Sequence, residues 1–173
     1  MKPRVLVTRR IAEVAVSRLR AEVEVDYRDE DRAIPPEELL GRAATVEGIV
    51  SGLSDPMDAT LMEAAHQLKV IANVAVGYDN IDVEAATARG IVVTNTPGVL
   101  TETTADLAFG LLMAAARRLV EGDRYVRAGR WDRFQMTLLL GADVHSKTLG
   151  LAGCGRIGQA VARRGRGFGM PVL

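Results

Sequence analysis

Six consecutive residues carry the clearest chemical signal in the chain: Gly153-Cys154-Gly155-Arg156-Ile157-Gly158, a G-x-G-x-x-G run. Such a run is common by itself, so its flanks decide its meaning. Upstream, Thr148-Leu149-Gly150-Leu151-Ala152 reads as an apolar strand, and residues 157–166 downstream read as a helix. In that setting Gly153 permits a tight turn, Gly155 lets the backbone approach a pyrophosphate, and Gly158 lets helix and strand pack closely. Arg156 and Ile157 open the helix, whose free N–H groups and partial positive charge favour phosphate. The expected ligand is a dinucleotide, NAD or NADP. The acid that would select between them is expected about 20 residues past the first glycine, where the given sequence reaches Leu173.

Other reactive residues give weaker signals. Gly141-Ala142-Asp143-Val144-His145-Ser146-Lys147-Thr148 nearly spells a phosphate loop, but Ser146 replaces the second glycine and the segment leads into a strand rather than opening a helix. His66, in a helix expected over residues 58–68, and His145, in an irregular segment, read as surface or loop histidines. Cys154 has no partner thiol nearby, so a small side chain between glycines is its simplest role. No metal site is expected.

The elements that must position the glycine loop follow from hydrophobic periodicity. Short apolar or alternating runs at residues 4–8, 23–27, 48–51, 70–76 and 91–95 read as strands. Helices are expected between them at 11–19, from Pro35-Pro36-Glu37-Glu38 onward, at 58–68 behind an Asp cap, and at 82–89 closed by Gly90. Strict β/α alternation with strands apolar on both faces predicts a parallel sheet covered by helices on each side. After Pro97-Gly98 a long helix is expected at residues 103–119, with Leu107, Ala108, Leu111, Leu112, Ala115 and Leu119 as its buried stripe. A second helical stretch ends at Gly129, an irregular segment follows, and the cofactor strand and helix come next. Residues 170–173 read as a further strand, with Arg163, Arg164 and Arg166 near the negative end of the preceding helix.

Composition narrows the partners. Of 173 residues, 22 are Lys or Arg and 22 Asp or Glu, and the basic ones are dispersed, which argues against nucleic acid and anionic membranes. No apolar run approaches the roughly 18 to 20 residues of a spanning helix. The lone cysteine and the absence of a signal-like leader point to the cytoplasm.

Several ordered motifs together resemble a known family. Asn73-Val74-Ala75-Val76-Gly77-Tyr78-Asp79-Asn80-Ile81-Asp82 is similar to the substrate-loop signature of D-isomer-specific 2-hydroxyacid dehydrogenases. Val93-Thr94-Asn95-Thr96-Pro97-Gly98-Val99-Leu100-Thr101-Glu102-Thr103-Thr104-Ala105-Asp106 resembles the segment leading into that family's bridging helix. Ala115-Ala116-Arg117-Arg118-Leu119, Gly155-Arg156-Ile157-Gly158-Gln159-Ala160-Val161-Ala162 and Phe168-Gly169-Met170 look like its later landmarks. The wording lies nearest the glyoxylate/hydroxypyruvate reductase branch.

The resemblance implies an α/β protein: a flavodoxin-like substrate domain over residues 1–98, then the first part of a Rossmann dinucleotide-binding domain over 99–173. It implies hydride transfer between NAD(P)H and a small 2-oxo acid. Val76 and Gly77 would offer N–H groups to the substrate carboxylate, Leu53 would line the substrate cleft, and Thr104 would approach the nicotinamide. From the residues alone, Gly77 is a turn glycine, Leu53 packing, and Thr104 part of a helix cap. The family's catalytic Arg, Glu and His would all lie beyond residue 173, so no catalytic residue is assigned and this chain alone is expected to be inactive. A homodimer is implied for a full-length protein. The rival readings are a non-catalytic dinucleotide-sensing binding protein of the same family and an inactive truncated product.

Overall fold

The computed structural model describes residues 2–173, which form two compact units, one ending at Pro97 and the other spanning Gly98–Leu173. The first holds strands β1 (Arg4–Val7), β2 (Glu24–Tyr27), β3 (Gly48–Ser51), β4 (Val70–Asn73) and β5 (Val92–Thr94). Between them run α1 (Glu13–Glu22), α2 (Pro36–Ala43), α3 (Ala59–Ala64) and α4 (Val83–Ala88). All pairings are parallel, in the order β2-β1-β3-β4-β5. This is the flavodoxin-like winding, in which the chain reverses direction across the sheet between β1 and β3. Ligands in such sheets bind at the carboxyl ends of the strands flanking that reversal.

Register builds the core. Leu6 pairs with Ile49, Ile49 with Ile71, and Ile71 with Val93, giving one apolar row across four strands. Leu39, Ala43, Leu61, Met62 and Ala86 of α2, α3 and α4 close over that row. Capping sets the helix starts. Pro36 occupies the first turn of α2, and the Asp58 and Asp82 carboxylates accept from Leu61 N and Ala85 N, both at 2.8 Å, ahead of α3 and α4.

Several expected boundaries move. In α1 only Val16 is buried and Val14 is 78% exposed, because a single helical face meets the sheet and Val14 falls outside it. Helix α3 ends at Ala64, so His66 sits in the following turn, exposed. Strand β4 stops at Asn73: Val74 N–H still bonds Ser51 O, but Ala75 O and Val76 O accept from Thr96 N–H and the Asn95 side chain outside the β5 pairing.

The second unit contains α5 (Thr101–Ala116), α6 (Leu119–Arg127) and α7 (Arg156–Gly167). The buried face of α5 is Ala105 and Phe109, supported by Leu112, Met113 and Ala116, and it packs on Ala160 and Val161 of α7. The expected stripe is therefore rotated: Leu107, Leu111 and Leu119 are 63%, 61% and 56% exposed. Arg163 and Arg164 bond Glu102 and Asp106 of α5, so these cations tie two helices together as well as lying near the negative end of α7. Residues 149–151 and 171–173 pair in parallel through Leu149 N to Pro171 O, Leu151 N to Leu173 O and Leu173 N to Leu149 O. Each segment has one neighbour, so the two strands expected here reduce to a single bridge, Leu149 to Val172. Gly165 of α7 sits where a Cβ would come 2.7 Å from Leu149 Cδ2, so this glycine also sets helix-to-strand spacing.

One buried ion anchors the reversal point. The Asp55 carboxylate, fully buried, accepts from Thr8 Oγ1 at 2.5 Å, Gly52 N at 2.8 Å and the Arg9 guanidinium at 2.6 Å. Burial pushes its pKa up, but the bonds from Thr8, Arg9 and Gly52 outweigh burial and hold it below the ordinary carboxylate value. A depressed folded pKa stabilises the fold above the unfolded value of about 3.9, and that contribution disappears as pH falls through the lower folded value. Asp55→Asn would set an amide N–H₂ against Arg9, and we expect it to cost about 2 to 3 kcal/mol at neutral pH in urea unfolding. The variant's stability should also fall less steeply than the wild type's below about pH 4; parallel pH profiles would contradict this assignment.

Candidate functional site

The carboxyl edge of the first sheet is organised by side-chain amides. After β3, residues 52–55 turn around the Asp55 carboxylate, and Arg9 also donates to Ser54 Oγ at 2.6 Å. Asn80 Nδ2 donates to Gly52 O at 3.2 Å and Asp55 O at 2.9 Å. Asn73 Nδ2 donates to Gly77 O at 2.9 Å and Asn80 Oδ1 at 3.2 Å, while Ser51 Oγ donates to Asn73 Oδ1 at 3.1 Å. Two loops, 52–55 and 74–80, are thereby strapped to each other and to the ends of β3 and β4.

This strapping brings Leu53 and Gly77 together. A Cβ built on Gly77 would lie 3.7 Å from Leu53 Cδ1 and 3.6 Å from Asp79 Oδ2, ordinary contact distances. Gly77 is also absent from the positive-φ glycines, so neither backbone conformation nor crowding within the protein demands glycine there. Leu53 is 55% exposed and Val76 39%. Among the described residues neither the Val76 N–H nor the Gly77 N–H has a protein acceptor. Two free amide donors beside an exposed apolar side chain suit a small carboxylate with a short carbon skeleton.

In the second unit Gly153 turns the chain as its spacing predicts, but Gly158 packs on the loop and not on the strand. Gly153 has φ +108, open to glycine and strained for other residues. Gly158 lies so near the Gly153 carbonyl that a Cβ would collide with it, whereas a Cβ on Gly155 would meet nothing within 4 Å. The tight approach made by Gly158 is thus to the loop, and Gly155 faces open space. Helix α7 begins at Arg156 behind Gly155 with no side-chain cap and no acid in its first turn. The Gln159 N–H is the first to bond within the helix, to Gly155 O at 2.9 Å. The N–H groups of Arg156, Ile157 and Gly158 consequently have no protein acceptor among the described residues. Three free donors, the helix dipole and the space over Gly155 fit a pyrophosphate. Gln159 Nε2 braces the loop through Cys154 O at 3.0 Å.

Thr104 lies exposed in the first turn of α5, whose cap is Leu100 without side-chain capping. The near-phosphate-loop at 141–148 opens no helix and leads to the bridge at Leu149. His145 Nδ1 is 2.9 Å from Ser146 Oγ at the surface, and among the described residues no three His, Cys, Asp or Glu side chains converge as a metal site. No described helix is long and apolar enough to cross a membrane. Sequence reasoning misses the roles of Asp55, Asn73 and Asn80. Asn73 ends a buried strand and shares one signature with Asn80, while Asp55 sits in the turn after β3, and these signs gain meaning only once partners are known.

Comparison with known proteins places this geometry in a family. Residues 5–165 match the family model described as D-isomer specific 2-hydroxyacid dehydrogenase, catalytic domain. A glyoxylate reductase from Korarchaeum cryptofilum is 55% identical over 174 residues, covering 100% of this chain and 52% of that protein. A solved structure from Thermus thermophilus superposes with a TM-score of 0.92 at 51% identity, covering 98% of this chain and 54% of that one. An NADPH-dependent glyoxylate/hydroxypyruvate reductase from Sinorhizobium meliloti, solved with NADP and malonate, superposes with a TM-score of 0.83 at 38% identity, covering 100% and 53%. The chain spans about half the length of the curated relatives it matches. With the family model matching nearly its whole length, this chain belongs to the D-isomer-specific 2-hydroxyacid dehydrogenase family.

Proposed function

We propose that this chain supplies the carboxylate-binding and pyrophosphate-binding parts of an oxidoreductase that moves hydride between NAD(P)H and a small 2-oxo acid, glyoxylate or hydroxypyruvate. The observation that carries the reading is the start of α7, where Arg156, Ile157 and Gly158 present free N–H groups behind a glycine loop. Thr104 would approach the nicotinamide, and the bound cofactor supplies the hydride. Val76 and Gly77 would bind the substrate carboxylate through their N–H groups, and Leu53 would cover its short carbon chain. The Sinorhizobium relative is NADPH-dependent and was solved with NADP and malonate, which supports a nicotinamide cofactor and a small carboxylate ligand as the classes of molecule bound. In this reading residues up to 98 form the substrate domain and 99–173 the NAD(P)-binding domain.

Turnover also needs a group that protonates the substrate oxygen and a cation that holds the carboxylate and carbonyl. The family resemblance assigns these to an Arg, a Glu and a His beyond residue 173. We also infer a cytoplasmic location, supported by a single, exposed free thiol. A homodimer is part of the same reading: Leu107, Leu111, Leu119 and Val120 leave an apolar surface exposed on α5 and α6.

Two experiments follow. Glyoxylate-dependent loss of NADPH absorbance should be absent in the 173-residue chain and present when the C-terminal half of the Korarchaeum relative is joined to it. Activity in the short chain would overturn the assignment of the catalytic groups, and binding without turnover in the chimera would favour a sensing protein. In sedimentation equilibrium the chimera should be a dimer that Leu111→Glu shifts toward monomer; an unshifted dimer would exclude α5 from the interface.

A further inference from the structure

We propose that Asn95 is a positioning residue for the substrate carboxylate, acting through the peptide plane that carries the Gly77 N–H. The inference rests on the reading that the Val76 and Gly77 amides receive that carboxylate. Asn95 lies just past β5, outside the ladder, and its Nδ2 donates to Val76 O at 2.8 Å. The neighbouring Thr96 N–H donates to Ala75 O, also at 2.8 Å. Every described peptide is trans, so each C=O and the N–H of the same unit point to opposite sides. Holding the Val76 oxygen toward Asn95 therefore turns the Gly77 N–H away from it. Holding the Ala75 oxygen toward Thr96 does the same for the Val76 N–H. The next oxygen, that of Gly77, is fixed by Asn73 Nδ2 at 2.9 Å.

Three consecutive peptide planes are thus gripped by their oxygens, and the two N–H groups assigned to the carboxylate are left without protein acceptors among the described residues. A carbonyl that accepts a hydrogen bond also polarises its amide, which strengthens the donor at the other end. Without the Asn95 bond, the Val76–Gly77 peptide has no other donor on its oxygen among the described residues to stop it rotating toward water. Asn95 grips the oxygen side of that peptide, so its effect on an anion at the N–H side is transmitted rather than direct.

The test uses the ¹⁵N,¹³C-labelled 173-residue chain titrated with glyoxylate, as wild type, Asn95→Leu and Asn95→Gln. The wild type should show saturable shifts at the Val76 and Gly77 amides. Asn95→Leu, similar in bulk but without a donor, should weaken glyoxylate roughly tenfold and move the Val76 carbonyl ¹³C resonance upfield, leaving the β1 to β4 resonances in place. Asn95→Gln, which keeps the donor on a longer arm, should move both quantities back toward wild type together. Unchanged affinity in either variant whose Val76 carbonyl resonance has moved would overturn the proposal. Changes spread through the whole first unit would also overturn it, by showing a purely structural role. Silence at Val76 and Gly77 in the wild type would instead remove the carboxylate assignment, and the role of Asn95 with it.

Discussion

Peptide N–H groups left without protein acceptors among the described residues, at the start of α7 and at Val76 and Gly77, are the feature on which the proposed binding roles of both units depend. A free amide in an exposed loop binds water as readily as a ligand, and it becomes selective only when its plane cannot rotate. In the second unit the constraint is supplied by the helix itself. The start of α7 leaves three donors open by the geometry of an α-helix, and Gly155 places no side chain over them. In the first unit the planes are fixed instead by donors to carbonyl oxygens: the side-chain amides of Asn95 and Asn73 and the backbone N–H of Thr96.

One of those amides, that of Asn73, is linked through Asn80 to the turn around the buried Asp55 carboxylate. Thr8 and Arg9 from the end of β1 and Gly52 from the end of β3 converge on one ion, at the place where the sheet reverses its winding. Asn80 then spans from the turn around that ion to Asn73, whose own amide holds Gly77. Removing solvent from a carboxylate is costly unless its lone pairs are filled, and here three donors fill them. A Cβ at residue 52 would come within 2.6 Å of the Arg9 guanidinium carbon, so a side chain there would have to displace the arm that reaches Asp55.

Much of this was legible in the sequence, for identifiable reasons. Strands such as Arg4–Val7 and Val70–Asn73 are short apolar runs between clear helix signals. Gly153 and Gly158 stand where the backbone or a carbonyl excludes a Cβ, so local chemistry fixes them. What could not be read depends on partners distant in sequence. Residues 74–76 look like more strand, yet beyond the Val74 N–H bond to Ser51 O the regular ladder ends, and the Ala75 and Val76 oxygens accept instead from Thr96 N–H and the Asn95 side chain. Helix α5 has two apolar faces, and only its packing against α7 makes Ala105 and Phe109 the buried pair while Leu107 and Leu111 stay outside. Nothing local singles out Asp55, whose partners Thr8 and Arg9 lie more than forty positions away.

The most direct measurement is an amide chemical-shift titration of the ¹⁵N-labelled chain with NADPH. If free donors at the start of α7 hold a pyrophosphate, saturable shifts should concentrate at Arg156, Ile157 and Gly158, and inorganic pyrophosphate should reproduce them. Undisturbed resonances at these three residues, with the second unit folded, would contradict the dinucleotide assignment.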